Sequence, residues 1–148
     1  MWRLTVFFLI LGLSGISIAQ KPKEPLYTVN GKAVGGYDVV AYFEEDKAVK
    51  GEDNFSYKWK DAQWLFTSKE HLDLFKSEPE KYAPQYGGYC SWGMKYGIKS
   101  KTDPVKGWTI YNGKLYLNYD KRYNERWSED KDVYIKKADR HWKKKVKE

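Results

Sequence analysis

Phe55, Tyr57 and Trp59 alternate with Ser56 and Lys58, the period of a half-buried strand. Gln63 to Thr67 follows after a short turn, so the two segments are predicted to pair as an antiparallel hairpin. A second hairpin is signalled by Asn112-Gly113 between Trp108 and Leu117. Its register sets Ile110 opposite Leu115 and Trp108 opposite Leu117 on one side, which should pack inward. Thr109, Tyr111, Lys114 and Tyr116 fall on the other side. Asn30-Gly31 marks a turn between short extended pieces over Tyr27 to Val34, and Gly35-Gly36 breaks that pattern. The apolar run Val39 to Phe43 reads as a further strand.

The period then changes. Thr67-Ser68 can cap a helix over Lys69 to Lys76, with His71, Leu74 and Phe75 on one face and Leu72 beside them. Pro79 stops or restarts it, and Pro84 with Gly87-Gly88 makes a loop. Tyr89 to Tyr96 fits a short helix ending at Gly97. From Asp120 to Lys145 the pattern is helical, with Tyr123, Trp127, Tyr134, Ala138 and Trp142 near one face. Ser128 to Asp132 divides it into two helices. Strands, helix, hairpin and helices in that order give an α+β class: a small antiparallel sheet with a short central helix and a C-terminal helical segment.

The N-terminus follows other rules. Met1 to Arg3 is a short basic start, Leu4 to Leu13 is apolar, and Ser17-Ile18-Ala19 places small residues where a signal peptidase reads. Residues 1–19 are therefore expected to be a signal peptide, and the mature chain to be exported to a periplasm or secreted. No stable membrane insertion is expected after cleavage, because the apolar run is short for a bilayer span. Residues 20–26 form a polar, proline-bearing lead expected to be mobile. Residues 27–142 are read as one domain, and 143–148 as a basic tail.

Composition changes the picture in two ways. Aliphatic residues are sparse for a chain that is 32% charged, which alone would suggest disorder. But 13 Tyr and 7 Trp supply large apolar faces that can build a core instead. The net charge is +7, and residues 136–148 hold seven basic against two acidic side chains. In an exported chain this basic stretch is read as a solvated helix end whose lysines complement the helix dipole, with no nucleic-acid partner.

Much chemistry is excluded. The chain has no phosphate-cradling glycine loop, dinucleotide fingerprint or nucleophile elbow. Two histidines, His71 and His141, cannot make a metalloprotease helix motif. One cysteine, Cys90, excludes an internal disulfide framework and any several-thiolate site within one chain. What remains is a small set of soft donors: Cys90, Met94 and His71. Cys90 and Met94 are four apart and would share a helix face, and thiolate, thioether and imidazole suit copper. Each also has an ordinary structural reading: Cys90 as a small buried hydrophobe, Met94 as a gap-filler, His71 as a satisfied core histidine.

Taken together, Gly36 to Phe43, Phe55 to Trp59, Trp64 to Ser68, His71, Phe75, Pro79 to Pro84 and Gln85 to Cys90 resemble the YHS domain, in particular its exported bacterial form. Gly107 to Ile110, Gly113 to Tyr119 and Lys137 to Trp142 are similar to the same subgroup. The broader family resembles small metal-handling modules. Where they carry paired cysteines around a Phe-Cys-Ser segment, this chain has Phe66-Thr67-Ser68, with Thr67 at the first cysteine position and His71 at the second. The resemblance therefore implies no four-thiolate site and maps only His71 onto a ligand position.

These readings give three hypotheses. The first is a non-enzymatic exported module for copper, zinc or a similar soft metal, with His71 and Cys90 as ligands, Met94 as a weaker third, Asp38 assisting, and Tyr86 and Tyr89 walling the site. The second is a metal-independent module for a small molecule or protein, using a groove lined by Tyr37, Tyr86, Tyr89 and Trp92. The third is a thiol-dependent enzyme using Cys90, which requires an accessible thiol of lowered pKa.

Overall fold

The run Val39-Val40-Ala41 forms a helix, not a strand, and Asp38 is the reason. In the computed structural model, which describes residues 23–148, the Asp38 Oδ1 accepts from the backbone N–H groups of Val40 at 2.9 Å and Ala41 at 3.2 Å. That is an N-cap. It starts α1, Val39–Glu44, whose β-branched residues are packed on all sides. Full burial removes the alternation that separates strand from helix, so β-branching misdirects the sequence reading. The expected signal peptide, 1–19, and the start of the lead lie outside the described residues.

The main sheet has the order β1-β2-β4-β3, from Thr28–Val29, Lys32–Ala33, Ala62–Phe66 and Glu52–Trp59. β1 and β2 flank the Asn30-Gly31 turn, and β3 and β4 form the expected hairpin. One pairing, Lys32 with Gln63, is parallel and joins the two hairpins. The second hairpin, β5 (Trp108–Tyr111) and β6 (Lys114–Leu117), pairs Trp108 with Leu117 and Ile110 with Leu115. The fold is α+β, with small antiparallel sheets and several helices, the last at the C-terminus.

α2, Lys69–Ser77, starts where Ser68 Oγ accepts from His71 N–H, and it packs Phe75 against the sheet. Phe75 stacks on Trp64 at 4.8 Å and touches Phe66, Tyr57 and Trp59. Leu74 does not share that face as expected: it is exposed, while Leu72 packs inward. α3, Pro79–Tyr82, restarts the helix at Pro79. α4 is only Ser91–Met94, shorter than the Tyr89 to Tyr96 helix expected. Tyr86 and Gly87 before it hold left-handed backbone, and Cys90 is its N-cap, its thiol accepting from Gly93 N–H. α5, Lys121–Ser128, and α6, Lys131–Lys145, divide at the expected place.

Two cores result, one on either face of the β5–β6 hairpin. Leu115 and Leu117 face the first, with α1, α2 and the main sheet. Tyr116 faces the second, with Tyr86, Met94, Trp127 and Ala138. The hairpin is thus covered on both sides, not on the aliphatic side alone, because the C-terminal helices close over its tyrosine face. The expected mobile lead makes contacts of its own. Glu24 takes bonds from Lys60 and from the Trp142 indole, and just beyond the lead Tyr27 N–H donates to the Gly87 carbonyl at 2.8 Å. Among the described residues no helix is long and apolar enough to cross a membrane.

Candidate functional site

His71 sits on the first turn of α2 and points its Nδ1 at Asp38, 2.6 Å away. Asp38 is fully buried. Its Oδ2 also accepts from Thr67 N–H at 2.9 Å and Thr67 Oγ1 at 2.8 Å. With Oδ1 capping α1, the carboxylate gathers five donors from three elements. A carboxylate only accepts, so in this contact His71 Nδ1 is the donor. Thr67, which takes the place of a cysteine in the resemblance, serves here as a carboxylate partner.

Cys90 is elsewhere, buried at the N-cap of α4. Its Sγ accepts from Gly93 N–H at 3.5 Å and donates to Asn118 Oδ1 at 3.8 Å. The same Oδ1 accepts from Trp92 N–H at 2.9 Å, and Asn118 Nδ2 donates to Asn124 at 2.9 Å. Burial pushes the Cys90 thiol up, against the opposing pull of nearby backbone N–H groups. That is the reverse of what a thiol-dependent enzyme needs. Met94 is fully buried in the second core. Among the described residues His71 and Cys90 share no hydrogen-bond partner: His71 meets Asp38, and Cys90 meets Asn118 and Gly93. Among the described residues no three His, Cys, Asp or Glu side chains gather as a metal-binding group.

The expected tyrosine groove is also divided. Tyr37 packs on the first core, whereas Tyr86, Tyr89 and Trp92 pack on the second. Tyr86 is buried and donates to Asp139 at 2.9 Å. Only Trp92 of the four lines the open cleft that reaches Cys90. That cleft, about 500 Å³, lies between α4, the Tyr96 to Ser100 loop and the start of α5. Its walls are Trp92, Tyr96, Ile98, Tyr119 and Tyr123, with Cys90 and Gly93 at its base and Arg122 and Ser100 alongside.

The aromatic walls support one another. Trp92 lies 6.5 Å from Tyr96 and 6.0 Å from Tyr123, and Tyr119 meets Tyr123 edge-on at 5.8 Å. Behind them Lys95 is buried to 7% exposure, with its Nζ 3.1 Å from the Trp92 ring centroid and 4.0 Å from that of Tyr134. This cation–π packing anchors the Trp92 ring from within. Yet Tyr96 and Ile98 are 61% and 56% exposed, more than any other large hydrophobic side chain described. The sequence reading found Trp92 and Cys90 but missed Tyr96, Ile98, Tyr119, Arg122 and Tyr123. Tyr119 and Tyr123, four apart across the Asp120 cap, were the available signal. No protein-family model, curated protein or solved structure matches this chain.

Proposed function

We propose that the chain is an exported binding module of the YHS type, and that it seats a small organic molecule in the cleft above Cys90. The observation that carries this reading is the exposed aromatic surface of that cleft. Tyr96 and Ile98 stay open to solvent on a concave wall, whereas most other large side chains are packed away. Concave sites of this size, mostly apolar with few polar groups, are typical of small-molecule binding. The raised Cys90 thiol fits a base that packs against a ligand, not a nucleophile.

A second reading, a soft-metal site, has one observation in its favour. Asp38 fixes the His71 proton on Nδ1, an arrangement that second-shell carboxylates impose on metal-ligating histidines. Cys90 and Met94 would have to leave their present packing to join it.

The two readings separate by thermal shift. The purified protein is heated with Cu(I), with Zn(II) and with small naphthyl compounds. On the cleft reading the naphthyl compounds raise the melting temperature, and Tyr96→Ala abolishes the rise. A rise with Cu(I) or Zn(II) alone, lost in both His71→Ala and Cys90→Ser, would overturn the cleft in favour of the metal site.

A further inference from the structure

We infer that the cleft above Cys90 is selective for a small ligand with a planar apolar body and a single carboxylate, and that Arg122 is the residue that reads the carboxylate. This rests on the cleft reading above and adds the charge of its occupant.

Charge is the informative feature. Of the side chains that line the cleft, Arg122 is the only charged one, and none is acidic. Arg122 stands on the first turn of α5, solvent-exposed, and makes no ion pair among the described residues. Its acidic helix neighbours have other partners, and the Asp120 charge is felt at Cys90 rather than paired with the guanidinium. Glu125 is taken by Lys121 at 3.7 Å, and the Asp120 carboxylate accepts from Tyr123 N–H at 2.8 Å as the helix cap. Its guanidinium carbon lies 5.0 Å from the centroid of the Tyr123 ring, itself a wall of the cleft. A second cation, Lys101, lies over the Tyr119 ring at 5.2 Å. An apolar wall with an unpaired guanidinium beside it complements an apolar anion.

The same geometry limits the anion. A planar guanidinium matches a carboxylate with two parallel N–H bonds. Lys101 and Arg126 stand over the Tyr119 and Tyr123 rings but outside the lining, so a single carboxylate on Arg122 is the anion that the lining itself matches. Trp92, Tyr96 and Tyr123 offer ring faces and edges to a flat body, where offset or edge contacts add to area burial. Ser100 supplies the other side-chain hydroxyl besides the tyrosines.

The test is isothermal titration of the purified protein with 2-naphthoate, 2-naphthamide and 2-naphthylmethylammonium, matched in body and differing in charge. The wild type is compared with Arg122→Gln and with Tyr96→Ala, both at exposed positions that leave the two cores untouched. Naphthoate is expected to bind about two- to fivefold tighter than naphthamide, the scale of one solvent-exposed charge pair, with the ammonium weakest. Arg122→Gln should bring naphthoate down to the naphthamide level and leave naphthamide unchanged. Equal binding of acid and amide, or naphthoate binding indifferent to Arg122→Gln, would overturn the charge assignment and leave the cleft reading standing. Binding of no probe, or binding unaffected by Tyr96→Ala, would overturn both.

Discussion

Asp38 and His71 are 33 residues apart in the chain and meet at 2.6 Å, the carboxylate fully buried and the imidazole largely so. The contact ties the start of α1 to the end of β4 and the first turn of α2. Buried carboxylates persist only where donors compensate the lost hydration, and Asp38 has them on both oxygens. The pair is a structural joint of the first core whether or not His71 Nε2 has a further task.

Removing that joint should be severe. Asp38→Ala deletes the α1 cap and strands Thr67 and His71, so a loss of about 3–5 kcal/mol is expected. Asp38→Asn keeps an acceptor for the cap and should lose less. Urea denaturation monitored by tryptophan fluorescence measures both. A loss below about 1 kcal/mol for the alanine variant would show that the pair contributes little to the fold.

Alkaline pH should weaken the protein. Burial raises the hydroxyl pKa of Tyr42 and Tyr86 well above the tyrosine range, pushes Tyr116 up to about 12, and raises the Cys90 thiol. Each folded value exceeds its unfolded one, so the unfolded chain gives up its protons first as pH rises. The stabilisation is whole below about pH 8 and declines once pH passes the unfolded thiol and phenol values, near about 8.5 and 10. Melting temperatures across that range should fall, and Tyr116→Phe should make the fall shallower. A flat profile to pH 11 would contradict the burial of these groups.

Two glycines with similar backbone should respond differently to alanine. Gly113 has φ +70° and open space around the position of a Cβ, so Gly113→Ala meets only the left-handed strain, about 1 kcal/mol. Gly87 has φ +58°, and a Cβ there would collide with the Pro25 carbonyl oxygen and fall 3.2 Å from the Trp142 ring. Gly87→Ala should therefore also dislodge the segment before β1, including the bond from Tyr27 N–H to the Gly87 carbonyl. Loss of amide-exchange protection at Tyr27 in Gly87→Ala, and not in Gly113→Ala, is the expected signature.

The hairpin offers a test of the two cores. Leu115→Ala opens space in the first, with an expected loss of about 2–5 kcal/mol. Tyr116→Ala strikes the second, where the ring lies 4.9 Å from Trp127. Chemical shifts should move mainly around Phe66 and Phe75 in the first variant and around Trp127 and Met94 in the second. Shifts spread equally over both in each variant would mean that the hairpin does not divide them.

Local chemistry made much of this fold legible. Asn112-Gly113 and Asn30-Gly31 specify tight turns, alternation specifies β3 and the register of β5 with β6, and Ser68 and Pro79 set helix starts, because each acts over a few bonds. Val39 to Ala41 was illegible because a run buried on every side loses its periodicity, and the choice fell to a cap on Asp38 whose other partners are Thr67 and His71. Among the candidate ligands, residue types identified Asp38, His71, Cys90 and Met94, but not their grouping. Asp38 joins His71, while Cys90 turns to Asn118 and Met94 enters the second core. The cleft is a tertiary product in the same sense. Trp92 and Tyr96 come from one stretch of the chain and Tyr119 and Arg122 from another, and only the packing of α5 beside α4 sets them around one space. Sequence by itself determined the class, the turns and the chemical types available. Packing decided which of those types meet, because contact between distant residues depends on how whole elements bury their faces.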